Sequence, residues 1–116
     1  MKGHGRLLGL LCVLLLSLVA CAQKHSAFTL KWKTASEVNN LGYNVYRAEL
    51  EAGPFKQINS QIIQGAGTTD LISQYSYTDE TVRKRQVYYY YIESVSENGQ
   101  KKRFTPVLKS NAKNSP

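Results

Sequence analysis

Few residues in this 116-residue chain could do chemistry, and one thiol stands apart. Cys21 follows Leu18-Val19-Ala20 and closes an apolar run that begins at Leu7. The other candidates are weak. Cys12 lies inside the run and reads as apolar filler. His25 is the only histidine after it. The carboxylates Glu37, Glu49, Glu51, Asp70, Asp79, Glu80, Glu93 and Glu97 fall mostly in loops or at outward strand positions, without metal-ligand spacing. Asp79-Glu80 has the form of turn chemistry rather than an acid–base pair. Gly65-x-Gly67 is too short to cradle a phosphate, and no helix follows it. No Arg-Gly-Asp occurs. This inventory offers no catalytic residue, metal site or cofactor, and the expectation is a protein that is not an enzyme.

The segment that presents Cys21 has its own logic. Lys2 and Arg6 precede the apolar run and small residues end it, which describes an export signal. The run is about 14 residues, short of the roughly 20 needed to span hydrocarbon, and Gly9 and Ser17 weaken it further. An uncleaved anchor or an ordinary signal is the competing reading. Leu-Val-Ala-Cys resembles the lipobox of bacterial lipoproteins. The resemblance implies that residues 1–20 are a cleaved signal peptide and that Cys21 carries diacylglycerol and acyl groups. The mature protein is then lipid-anchored outside the cytoplasm. Ala22, rather than Asp, implies the outer membrane, on its periplasmic or cell-surface side.

About 96 residues remain after the cut, enough for one small domain. Cys21 is then the only cysteine, so no disulfide framework exists and the core must hold the fold. The chain carries a formal +7, and loss of Lys2 and Arg6 leaves +5. That suits anionic headgroups or acidic partners, and an exported protein is not expected to meet nucleic acid.

The mature part alternates like an all-β domain. Phe28, Leu30 and Trp32 share one strand face, with Lys31 and Lys33 on the other. Residues 35–41 read as a polar loop. Tyr43 to Tyr46 mark a second strand, ended by a loop at Glu49–Pro54 with the breaker pair Gly53-Pro54. Phe55–Ile63 reads as a third strand and Gly65–Asp70 as a loop. Ile72–Thr78 is a fourth strand, and Val87–Ser96 is the strongest. Asn98-Gly99 is a hairpin turn, and Lys101–Leu108 returns. The boundaries predicted are a tether at 21–26, a domain at 27–108 and a polar, disordered tail at 109–116. Several short strands with turn chemistry between them indicate a sandwich or small barrel.

The stretch from Trp32 to Arg47, with Gly53-Pro54-Phe55, Tyr75–Asp79 and Tyr88–Val95, resembles bacterial fibronectin type III domains, an immunoglobulin-like β-sandwich. The resemblance covers about Phe28 to Leu108. It implies that Trp32, Val82, Tyr88 and Tyr90 are structural. Val82 stands six residues before Tyr88, which makes Tyr88 the candidate for a tyrosine corner, its hydroxyl bonded to nearby backbone. It implies little about function. One departure is that residues 22–27 supply at most a stub of the family's first strand. The edge of Phe28–Thr34 is then covered by tether or tail, tolerated behind Lys31 and Lys33, or extended by a partner's strand.

Three surfaces remain. In the family's arrangement Tyr46, Tyr89 and Tyr91 share one outer face. That face reads as cross-strand pairing, as a protein contact or as a platform for glycan stacking. Arg83-Lys84-Arg85 and Lys101-Lys102-Arg103 lie at opposite ends of one strand, about 30 Å apart, and do not form one stripe. The first cluster, with Lys24, sits at the tether end and reads as solvated turn charge or as a contact to anionic lipid. The function predicted is a non-enzymatic interaction subunit of a cell-envelope or surface assembly, docking through the tyrosine face, the open edge, or both. The alternative is a carbohydrate-binding module.

Overall fold

The computed structural model describes residues 25–111. Residues 1–24, which hold the expected export signal, Cys21 and Lys24, and residues 112–116 lie outside them. The described chain is an all-β, sandwich-like domain of two antiparallel sheets. Its strands are β1 (His25–Thr34), β2 (Glu37–Ala48), β3 (Lys56–Gln57), β4 (Ile63–Thr69), β5 (Ser73–Arg83), β6 (Tyr89–Ser96), β7 (Lys101–Arg103) and β8 (Leu108–Lys109). One sheet is β1 paired with β5. The other has β2 and β6 at its centre, with β3 and β4 along the free side of β2 and β7 and β8 along the free side of β6.

Period-two patterning accounts for the pairing of the two layers. In β1, Leu30 and Trp32 are buried, and Lys31 and Lys33 are exposed. In the β6 region Tyr88, Tyr90 and Ile92 point inward and are fully covered. Tyr43, Val45 and Val82 complete the core, and Phe28, Ile58, Ile63, Tyr75 and Tyr77 pack at its margin. Aromatic contacts dominate it. Trp32 stacks on Tyr75 at 5.6 Å, Phe28 on Tyr90 at 5.3 Å, and Tyr43 meets Trp32 edge-on. Ring contacts of this kind add about 1 kcal/mol each beyond area burial.

The structure corrects the sequence reading in several places. Residues 37–41 are not a loop but the first half of β2, paired with β4. The segment from Gly65 to Thr69 is strand, not loop. Glycines on both strands let β4 approach β2 closely: a Cβ on Gly42 of β2 would lie 2.3 Å from the Ile63 carbonyl oxygen, and one on Gly65 of β4 would lie 2.8 Å from the Asn40 carbonyl oxygen. The predicted third strand shrinks to Lys56–Gln57. The returning strand breaks into β7 and β8, because Phe104 and Thr105 N–H both turn to the Ile92 carbonyl and Thr105 Oγ1 accepts from Ile92 N–H. Within β6 the alternation of Tyr90 and Ile92 breaks, so that Val95 is buried and Ser94 half-covered. Lys109 and Ser110, assigned to the tail, belong to the fold. Ser110 is buried, donates its N–H to the Tyr88 carbonyl and accepts from Tyr88 N–H through Oγ.

Two buried carboxylates tie the sheets together, one toward each end. Glu37 lies between Thr34 of β1, Tyr75 of β5, Asn40 and Tyr43 of β2, and Ala66 N–H of β4, all donating to it. Asp79 of β5 accepts from Arg47 of β2 at 2.8 Å, from Tyr90 hydroxyl at 2.8 Å, and from Thr81. Neither carboxylate is in a loop or outward, as their sequence context had suggested. Asp79 is not in a turn: β5 runs on to Arg83, and Asp79 continues the inward series Tyr75, Tyr77.

Candidate functional site

The outer face of the larger sheet carries a built aromatic array. The β2–β6 register sets Tyr46 opposite Tyr91. Their rings stack at 4.7 Å and are almost parallel, 2° apart. Phe55, just after the Gly53-Pro54 turn, meets Tyr91 edge-on at 5.0 Å. Arg103 lays its guanidinium over Tyr91, 4.1 Å from the ring centre. Because β2 and β7 flank β6 on opposite sides, Tyr46 and Arg103 reach Tyr91 from opposite directions. Tyr91 therefore stands upright between two partners, and neither of its faces lies flat toward solvent. Below the rings, Glu93 accepts from the Tyr46 hydroxyl and from Asn44 Nδ2, each at 3.3 Å. Burial and the neighbouring Glu93 carboxylate push the Tyr46 hydroxyl pKa up.

Of the three tyrosines assigned to this face, the structure brings Tyr46 and Tyr91 together. Tyr89 lies opposite Ala48 and Lys109, and no ring contact joins it to the other two. Phe55 and Arg103 take its place in the array. The position of Arg103 was legible by counting back from the Asn98-Gly99 turn, which sets it opposite Glu93. No local signal gave Phe55, which depends on the path of the chain through the turn.

Among the described residues, the edge of β1 away from β5 carries no strand. Lys31 and Lys33 are exposed along it. A shallow groove of about 400 Å³ runs over the outer side of this sheet, lined by Lys31, Trp32, Lys33, Gln74, Tyr75 and Ser76. Of the other assigned residues, Trp32, Val82, Tyr88 and Tyr90 are buried in the core. Arg83 N–H donates to the Tyr88 hydroxyl at 3.1 Å, locking the turn after β5.

Arg83, Lys84 and Arg85 are all exposed in that turn. His25 pairs with Arg83, and Lys109 pairs with Tyr89, so both ends of the described chain lie at this end of the sandwich. Glu49, Leu50 and Glu51 are exposed in the β2–β3 turn, which follows Ala48 opposite Tyr89 at the same end. Lys101, Lys102 and Arg103 lie toward the other end of β6, and the two basic clusters do not merge. The opposite end has exposed apolar residues of its own in Val38, Leu71 and Ile72. Among the described residues no group of three or more His, Cys, Asp or Glu is placed to hold a metal ion.

No family model matches this chain, and neither a curated protein nor a solved structure matches it.

Proposed function

We propose that this chain is an exported lipoprotein, anchored through acylated Cys21 in the outer membrane. In this reading its single fibronectin type III-like domain serves as a non-enzymatic protein-interaction subunit of an envelope or surface assembly. The fold part of the reading is supported by strand order. The two sheets, β1–β5 and one centred on β2–β6, agree with the arrangement that the sequence resemblance implies. The bond from Arg83 N–H to the Tyr88 hydroxyl has the form of a tyrosine corner.

The observation that carries the functional part is the array of Tyr46, Tyr91, Phe55 and Arg103 on an outer sheet face. Tyrosine, phenylalanine and arginine are the residues enriched where protein interfaces bury their centres. Their mutual stacking fixes the side chains in advance and lowers the ordering cost of docking. Glycan stacking instead needs a ring face open to the sugar, and Tyr91 offers none. The protein contact is therefore preferred to the carbohydrate-binding reading.

The arrangement of the ends supports the tether. Arg83, Lys84 and Arg85 lie where the chain leads back toward Cys21, so an anchored domain would hold them near anionic headgroups. Each such residue contributes about 1 kcal/mol at a charged surface.

The test is to purify the full, C-terminally tagged chain in detergent from its host and identify what is retained. A stoichiometric partner, lost on Tyr46→Ala plus Tyr91→Ala, is expected. Recovery of the protein alone at monomer size, with saturable quenching of Trp or Tyr fluorescence by soluble sugar, would move the carbohydrate reading ahead.

A further inference from the structure

The smaller sheet is incomplete in a specific way. Among the described residues it has two strands, and β1 is ten residues long with β5 on one side only. Two-stranded sheets are marginal alone, and an open edge of this length is a template for another strand. From Phe28 to Thr34 the register with β5 is continuous, and the shift that marks a bulge lies before Phe28. That run of edge is thus regular, with no kink to turn it away from a partner.

Charge states what kind of strand fits. The outward positions of β1 are Thr29, Lys31 and Lys33, and the adjoining outward positions of β5 are Gln74, Ser76 and Thr78. No carboxylate faces the two lysines from either strand along this stretch. The one ion pair among the described residues is Arg47–Asp79, elsewhere in the fold. The segments on either side of the described residues carry no complementary charge. Ala22-Gln23-Lys24 and residues 112–116 contain Lys24 and Lys113 and no Asp or Glu. A second copy of β1 would bring two more lysines and no acid.

We infer that the free edge of β1 takes up an extended acidic segment of a partner protein as a third strand. The segment's backbone pairs with Phe28–Thr34, and its alternate carboxylates face Lys31 and Lys33. This inference rests on the reading of the chain as an interaction module and names the chemistry of one partner. Strand addition divides the work in a general way: main-chain bonds give affinity and alternate side chains give specificity.

The experiment uses the full chain in detergent and an acetylated heptapeptide of alternating Glu and Val. Two control peptides are the same sequence N-methylated at alternate residues, and a Lys/Val version. Amide hydrogen exchange is read residue by residue. The Glu/Val peptide is expected to slow exchange at the outward amides of Phe28–Thr34 at least tenfold, and the N-methylated peptide to leave them unchanged. Lys31→Glu with Lys33→Glu, at two exposed positions, is expected to reverse the preference toward the Lys/Val peptide. Three results would overturn the inference. The first is equal protection by the N-methylated peptide. The second is protection of β6 and β7 in place of β1. The third is concentration-dependent protection of β1 without peptide, at dimer mass. The first and third leave retention of a partner through Tyr46 and Tyr91 untouched, and the second moves the contact onto the strands that carry Tyr91, so a failed edge and a failed module are distinguishable.

Discussion

Five donors converge on Glu37, which is 6% exposed, and none of them is a cation. Burial alone raises a carboxyl pKa. Here the bonds from Tyr75, Asn40, Thr34 and Ala66 N–H outweigh it and hold Glu37 at about 2. Asp79 is lowered too: burial opposes this, and the bonds from Arg47, Thr81 and Tyr90 prevail. A carboxyl whose pKa falls on folding stabilises the fold above its unfolded value and loses that contribution as pH drops toward its folded value. For Glu37 the window runs from 4.5 down to about 2. The full difference corresponds to about 3 kcal/mol. Urea midpoints measured across this window should fall steeply in the wild type and less steeply in Glu37→Gln. At pH 7, Glu37→Ala should cost about 3 kcal/mol, since several buried donors lose their acceptor, while Tyr75→Phe, which removes one, should cost about half that. Equal urea midpoints for wild type and Glu37→Ala would refute the hub. Neither carboxylate's role was fully legible in the sequence. Glu37 sits in a stretch of Ser, Glu and Asn that looks like a loop, and only pairing with β4 draws it inside.

The elements that were legible are those whose own alternation decides their burial. Phe28, Leu30 and Trp32, and again Tyr88, Tyr90 and Ile92, mark their strands without help. Strand β4 does not, because Gly65, Ala66 and Gly67 carry the composition of a turn. Its conformation comes from β2, which it approaches so closely that side chains would collide. Gly42 and Gly99 separate the two uses of glycine. A Cβ on Gly42 would meet backbone and the side chain of Ile62, so Gly42→Ala must push β4 from β2 and should be strongly destabilising. Gly99 has φ +88° and open space around it, so Gly99→Ala should cost only about 1 kcal/mol, from backbone strain. Chemical denaturation of both variants checks the order, and comparable losses would refute the close β2–β4 approach. The split of the returning strand was also invisible, since it depends on Thr105 replacing a backbone acceptor for Ile92 N–H.

At the scale of the whole molecule, the two ends of the described chain and the Arg83–Arg85 turn share one pole, and the tyrosine array lies on a side. A domain tethered by that pole would present the array laterally, within reach of neighbours in the same membrane. Two outcomes follow from the proposed anchor. Cys21→Ser should release it from membranes in fractionation. In that released form, Arg83, Lys84 and Arg85 changed together to Ser should abolish residual binding to anionic liposomes, and unchanged binding would remove the lipid role of the turn. The position of the pole was legible from topology, and so was Arg103 from the hairpin register, whereas Phe55 was not, because the path of the chain after the Gly53-Pro54 turn brings it to Tyr91. The most direct test of the docking face is photo-crosslinking in the living host. Benzoylphenylalanine would replace Phe55 at the edge of the array or Leu71 at the far apolar tip. A discrete crosslinked partner from position 55 and none from position 71 is the predicted result. A partner captured from position 71 alone would place docking at the tip and contradict the account.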